Sequence, residues 1–312
     1  MGVLMRKPSN NSSSPARNLK KSAPHRTVGG FNVHQVNKFP VEYESGNERN
    51  TTLLLSLCHD VSSIKSQPIV FDYIDEHGKH RKHTPDFEET SNTGEVLYLE
   101  VKSIDDLLKP KNLAKYIQIA KEYRRKGKNF RFLTNIQIEN QPVFDAVKLL
   151  FRYVNSPASL VHLERAKNLL NAGAMPIKAL MEQAQLDLLD VFTLIAKRQL
   201  TFDLSKPLDP DSYVSLPNQP YEGITLEAIL CSTRYGDLLQ KLALGHQPTD
   251  QSLLAAAKDW RQSNNHADVW SVVGGFAELP PLRDAGSSGF LRGPKLRRAF
   301  ALGLHHPQVS VE

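Results

Sequence analysis

The stretch from His83 to Ser103 constrains the chain most. It reads His-Thr-Pro-Asp-Phe, then a short turn-like insert, then Val-Leu-Tyr-Leu-Glu-Val-Lys-Ser. Val96 to Lys102 alternates as a strand does, bounded upstream by Asn92-Thr93-Gly94. Leu97, Leu99 and Val101 share one face, so Tyr98, Glu100 and Lys102 share the other. With Asp86 on the preceding strand or turn, that face gathers two acids and a lysine. Metal-assisted phosphodiester hydrolysis needs such a set: hard divalent cations take carboxylate oxygens, and a lysine orients or activates the attacking water. An exposed Glu-x-Lys pair on an ordinary amphipathic hairpin is the bland alternative.

Composition narrows the class. A chain of 312 residues, 40% hydrophobic and 23% charged, has room for two domains and sizeable cores. No apolar run approaches the ~20 residues of a membrane span, and the N-terminus lacks the apolar stretch of a secretory signal. Cys58 and Cys231 lie far apart, which supports neither a zinc site nor a disulfide framework and points to a reducing cytoplasm. Residues 1–27 hold six basic residues and no acid, which equals the formal net charge of the whole chain, +6. A neutral body with a basic arm suits an anionic partner, or the arm is a solvated, disordered leader.

In chain order, Phe31 to Pro40 reads as an extended lead-in. A helix starts near Ser45, where Glu48 completes a capping box and Leu54, Leu55 and Cys58 form the buried stripe. Ile69 to Ile74 reads as a strand, Asp75 to Gly78 as a turn, Arg81 to Phe87 as the returning strand, and Val96 to Lys102 as a third. Residues 110–127 form a helix with Leu113, Tyr116, Ile117 and Ala120 on one stripe. Its other face carries Lys109, Lys111, Lys115, Lys121, Arg124, Arg125, Lys126 and Lys128 against the single acid Glu122. Because this helix follows Lys102 directly, DNA-phosphate contact, through Lys115, Arg124 and Arg125 above all, is favoured over a merely solvated face. Phe130 to Ile138 gives a last strand.

Three helical patterns follow, Ala158–Leu170, Pro176–Gln183 and Leu186–Gln199, and then Leu200–Leu204 as a ribbon strand. They suggest a winged-helix module. Its third helix carries Asp187 and Asp190 and an apolar middle, which suits packing or a protein partner better than a major groove. Farther on, Ile224–Leu242 and Asp250–Arg261 look helical, Trp260 and Trp270 could anchor a small unit, and residues 283–298 are basic. The expected architecture is α/β: a basic leader (1–27), a core of helix, three strands, helix and strand (28–155), an α-rich winged-helix-like domain (156–217) and a helical extension (218–312).

The sequence resembles the TnsA-type endonuclease subunit of heteromeric transposases, whose core is similar to that of type II restriction enzymes. The resemblance spans roughly residues 39–205 and rests on Ser45-Gly-Asn-Glu48-Arg49, Gln67-Pro68, Thr84-Pro85-Asp86-Phe87 and Glu100-Val101-Lys102, in order and spacing. It implies that Glu48 and Asp86 bind a divalent metal, Mg2+ with Mn2+ able to substitute. It also implies that Glu100 joins them, that the Val101 carbonyl adds a ligand and that Lys102 is the catalytic lysine. Gln67 is then a structural residue beside the site or one that touches DNA. Asn50 departs from the family pattern, where an acid often follows the Glu-Arg pair. Such subunits cut the non-transferred strand of double-stranded DNA at transposon ends, beside a DDE-type transposase and an AAA+ ATPase regulator that contacts the C-terminal domain. The alternatives are a stand-alone restriction or repair nuclease and a non-catalytic scaffold bridging DNA and a partner.

Overall fold

The first helix is set by its cap. Ser45 is extended (φ −146°, ψ 164°) and its hydroxyl accepts from the Glu48 N–H, which starts α1 (Gly46–Leu57). Two short strands precede it, β1 (Gly29–Phe31) and β2 (Val41–Tyr43), paired antiparallel. Every residue of α1 from Asn50 to Leu57 is buried, so the helix is a core element surrounded on all sides. The chain is described here from a computed structural model, over residues 28–37, 40–75, 77–230, 239 and 242–245. The expected leader, the helix at 250–261, the Trp260 and Trp270 anchor and the basic stretch at 283–298 lie outside the described residues.

Two strands absent from the sequence reading complete the sheet: β3 (Val61–Ser66) and, after the hairpin β4 (Phe71–Ile74) and β5 (His80–His83), β6 (Phe87–Ser91). With β7 (Val96–Lys102) and β8 (Asn129–Thr134) they form a four-stranded mixed sheet in the order β3-β6-β7-β8. The first two pairings are antiparallel and β7–β8 is parallel. The parallel pair needs a crossover, made by the short α2 (Ile104–Leu107) and by α3 (Pro110–Arg125). The Asn92-Thr93-Gly94 turn is as read: the Ser91 hydroxyl accepts from the Thr93 and Glu95 N–H groups and Gly94 takes φ +86°. Strands β3 and β6 escaped notice because Val-Ser-Ser-Ile-Lys-Ser and Phe-Glu-Glu-Thr-Ser offer little apolar alternation. Glu88 is covered yet answered by Lys65 at 2.7 Å.

The strand read at 69–74 is not part of this sheet. With β5 it makes a separate two-stranded ribbon, docked on α3 through Phe71, whose ring stacks on Tyr123 at 3.9 Å. Between ribbon, α3 and sheet lies an aromatic core of Phe71, Tyr73, Tyr98, Tyr116, Tyr123, Phe130 and Phe132. The stripe read on α3 is buried as expected. The last strand ends at Thr134 rather than Ile138, because Thr134 and Gln137 form a capping box that starts α4 (Asn135–Ile138).

Past α5 (Val143–Leu150), which sequence periodicity did not reveal, come α6 (Leu160–Leu170), β9 (Met175–Pro176), α7 (Ile177–Ala184), α8 (Leu188–Ala196), β10 (Thr201–Phe202), β11 (Tyr213–Ser215) and α9 (Leu226–Leu230). The three small strands pair in the order β10-β11-β9. Residues Val191 to Ala196 of α8 are all buried. Just beyond α8, Arg198 takes φ +62°, a conformation costly for a side-chain-bearing residue. Its guanidinium donates to the carbonyls of Val61 at 2.6 Å and Ser56 at 2.9 Å, so the segment after α8 is tied to the last turn of α1 and the start of β3.

One buried acid gives the fold a pH dependence. Burial, then the charges of Asp60 and Glu95, push the Glu89 carboxyl from its ordinary 4.5 up to about 7. The folded state therefore binds more protons than the unfolded state between about pH 4.5 and 7, and stability falls as pH rises through that window. Thermal unfolding should show Glu89→Gln gaining on the wild type between pH 5 and pH 8. An equal gap between the two proteins at both pH values would contradict this.

Candidate active site

Four elements end at one place. Asp86 immediately precedes β6, Glu100 and Lys102 lie at the end of β7, β5 ends at His83, and Glu48 lies in the first turn of α1, three residues after its cap. Backbone pairing fixes the aspartate: its carbonyl accepts from the Gln67 N–H at 2.9 Å, where β3 ends. One carboxylate oxygen, Oδ2, accepts from the Val101 N–H at 2.7 Å. The Lys102 ammonium then lies 3.3 Å from Asp86 Oδ2, 3.0 Å from Glu100 Oε1 and 2.9 Å from the Val101 carbonyl. A single cationic group thus sits among three oxygens supplied by residues that the sequence reading had grouped.

The cup is deep but not closed. The Glu100 side chain is 4% exposed, that of Asp86 14% and that of Lys102 26%. Alternation along β7 had suggested one buried and one open face. Instead, Leu97 to Val101 are all buried, because β7 is a central strand with α3 packed over the Tyr98–Glu100 side. The second oxygen of Glu100, Oε2, lies 2.9 Å from His83 Nε2, and His83 Nδ1 lies 3.3 Å from the Tyr123 hydroxyl. The Tyr116 ring centroid lies 5.9 Å from the Lys102 ammonium.

Electrostatics follow from this packing. Burial, then the Glu100 charge, push the Asp86 carboxyl upward against the pull of Lys102, with Glu48 adding to the rise. Burial would raise Glu100 too, but Lys102 and then His83 outweigh it and hold that carboxyl down. Burial opposes the charge on Lys102, yet the two carboxylates win and its ammonium is held well above the usual range.

Glu48 stands slightly apart. Its two carboxylate oxygens accept from the Glu44 N–H at 2.8 Å and from the Ser45 hydroxyl at 2.9 Å, so it serves the start of α1. Among the described residues no group of three or more His, Cys, Asp or Glu side chains is arranged to hold a metal ion. The donors around Lys102, two carboxylates and a carbonyl, are nevertheless the hard oxygens that Mg2+ takes, and they already surround a cation. Their chemistry fits a divalent metal. Asn50, the departure from the family pattern, hydrogen-bonds Glu139.

The residues read as touching DNA separate. Lys115 is exposed, with its ammonium 5.0 Å from the Tyr116 ring centroid, beside the cup. Arg124 and Arg125 lie about 14 Å farther along α3 by helical rise. Arg124 donates to the Leu244 carbonyl at 3.4 Å, and Arg125 pairs with Glu122 at 2.9 Å. Gln67 is 6% exposed, takes φ +45°, and its Oε1 is buried without a hydrogen-bond partner.

Residues 58–135 match the family model described as the TnsA-like endonuclease N-terminal domain. This segment is similar to TnsA-like endonucleases. The TnsA-like match takes in Gln67, His83, Asp86, Glu100, Lys102 and the whole of α3, while Glu48 lies outside it. The family suggests a DNA endonuclease and is typically metal-dependent. No curated protein matches the chain.

Sequence reasoning passed over His83 as the partner of Glu100, and Tyr116 and Tyr123 as the aromatic groups beside Lys102 and His83. His83 carried a faint signal, since it stands three residues before Asp86 at the end of a polar His-Arg-Lys-His run. The tyrosines gave none beyond their place on the buried stripe. Removing Glu100 would take one of two carboxylates from Lys102 and the acceptor from His83 Nε2, so Glu100→Ala should lose about 3 kcal/mol or more. Glu48→Ala, which loses cap bonds near the surface, should lose about 1 kcal/mol. Urea unfolding measures both, and equal losses would contradict the placement of Glu100 at the centre.

Proposed function

We propose that this chain is a Mg2+-dependent DNA endonuclease serving as the nuclease subunit of a cut-and-paste transposase, cleaving the non-transferred strand at transposon ends. One observation carries the reading: within the TnsA-like segment, Asp86, Glu100 and the Val101 carbonyl converge on one cation, the Lys102 ammonium. Asp86, Glu100 and Val101 would hold the metal, and Glu48, which starts the neighbouring helix, would complete the set by leaving its cap bonds. The metal's contribution is to stabilise charge on the attacking and leaving oxygens of the phosphodiester. Lys102, drawn toward Asp86 and Glu100, orients the attacking water. Buried Glu100 keeps that lysine charged.

DNA would lie across the open side of the cup, with Lys115 at its edge meeting a phosphate; Arg124 and Arg125 would touch the backbone farther along. The order α6, β9, α7, α8, β10, β11 supports a winged-helix-like module at 156–217. Since α8 is buried over most of its length and carries Asp187 and Asp190 in its cap, that module suits a protein partner. The partners proposed are a DDE-type transposase subunit and an AAA+ ATPase regulator.

The test is nicking of supercoiled plasmid by the full chain in Mg2+ or Mn2+, alone and with the transposase of its element. Asp86→Ala should lower cleavage roughly 1,000-fold, equivalent to about 4 kcal/mol of transition-state stabilisation, at an unchanged melting temperature. An Asp86→Ala protein that cuts like the wild type would overturn the assignment. Cutting without any partner, at sites unrelated to element ends, would favour the stand-alone nuclease instead.

A further inference from the structure

His83 lies on the other side of Glu100 from Lys102. We propose that His83 is a positioning residue of this site, fixing the Glu100 carboxylate through Nε2 and thereby setting Glu100, Asp86 and Lys102 relative to one another. The inference rests on the nuclease reading above and goes beyond it by assigning a role to a side chain outside the expected ligand set.

Geometry makes the case. Glu100 has three side-chain torsions and sits among Tyr98, Tyr116, Tyr123 and Phe130, where an unpaired carboxylate oxygen would be costly. Lys102 holds Oε1 from one side at 3.0 Å, and His83 holds Oε2 from the other at 2.9 Å. An ionised carboxylate only accepts, so His83 Nε2 carries the hydrogen, and the Tyr123 hydroxyl is placed to donate to Nδ1 at 3.3 Å. The imidazole ring is clamped as well, standing edge-on to Tyr123 at 5.8 Å and to Phe130 at 6.1 Å, both at 82°. His83 is itself 6% exposed, which fits a fixed internal support rather than a group that meets DNA.

Its place in the chain gives the bond reach. His83 ends β5 of the separate ribbon, where it faces Phe71 across the strands, and only Thr84 and Pro85 lie between it and Asp86. The Glu100 bond therefore ties the ribbon to the central strand of the main sheet, and the same short segment delivers Asp86 to the cup. A histidine that orients a carboxylate ligand from behind in this way affects metal affinity without touching the metal.

Three substitutions in the full chain decide the matter, read by Mn2+ calorimetry, plasmid nicking in Mn2+ and thermal unfolding. His83→Phe keeps the ring and its edge contacts but removes the donor. His83→Gln restores an amide donor near the Nε2 position. Asp86→Ala tests the site itself. The expected result is a 10- to 100-fold loss of Mn2+ affinity and nicking rate in His83→Phe, with both recovered to within roughly threefold of wild type in His83→Gln. A merely structural role would instead make affinity and rate follow the melting temperature in both variants, with no rescue by glutamine, and that result overturns the proposal. Wild-type Mn2+ affinity in His83→Phe, beside lost binding in Asp86→Ala, overturns the His83 proposal alone. Unchanged binding in both variants, or none in the wild type, overturns the nuclease site and the proposal with it.

Discussion

A carboxylate buried on the central strand of a sheet is the condition around which this molecule is arranged. Glu100 stands on β7 with neighbours on both sides and α3 over its face. A charge in such a position must be matched by donors or given up. Lys102 and His83 supply them, from two different elements. Each partner constrains a piece of the fold: Lys102 the end of β7 and His83 the ribbon. The aromatic layer of Tyr98, Tyr123, Phe130 and Phe132 then excludes water and strengthens every charge interaction inside.

The same arrangement explains why a cation belongs at the open end. Two carboxylates and a backbone carbonyl surround one ammonium, and burial, then the Glu100 charge, raise the Asp86 carboxyl against the pull of Lys102. Such a set of hard oxygens, at the edge of a covered sheet and beside exposed Lys115, supports the metal-dependent nuclease reading proposed above.

Much of this was legible in the sequence at the places where local chemistry decides the outcome. Val96 to Lys102 alternates cleanly and is a strand over those same residues. Ser45 caps α1, and the stripe on α3 faces the core. Asp86, Glu100 and Lys102 meet as the motif spacing suggested. What stayed hidden is set by tertiary context. Strands β3 and β6 carry serines and glutamates that are tolerated because neighbours such as Lys65 answer them. The ribbon's separation from the sheet depends on Phe71 finding Tyr123, fifty-two residues away. Glu48 was read both as a ligand and as a capping residue, and the bonds it makes here are those of the cap. His83 was hidden for the same reason: nothing near it in sequence announces Glu100.

The most direct measurement is anomalous diffraction from crystals of the full chain soaked in Mn2+. The account predicts a peak among Asp86, Glu100 and the Val101 carbonyl, with the Lys102 ammonium moved out of the position it now holds. Lys102 still seated among those oxygens, with no peak beside them at saturating Mn2+, would contradict it.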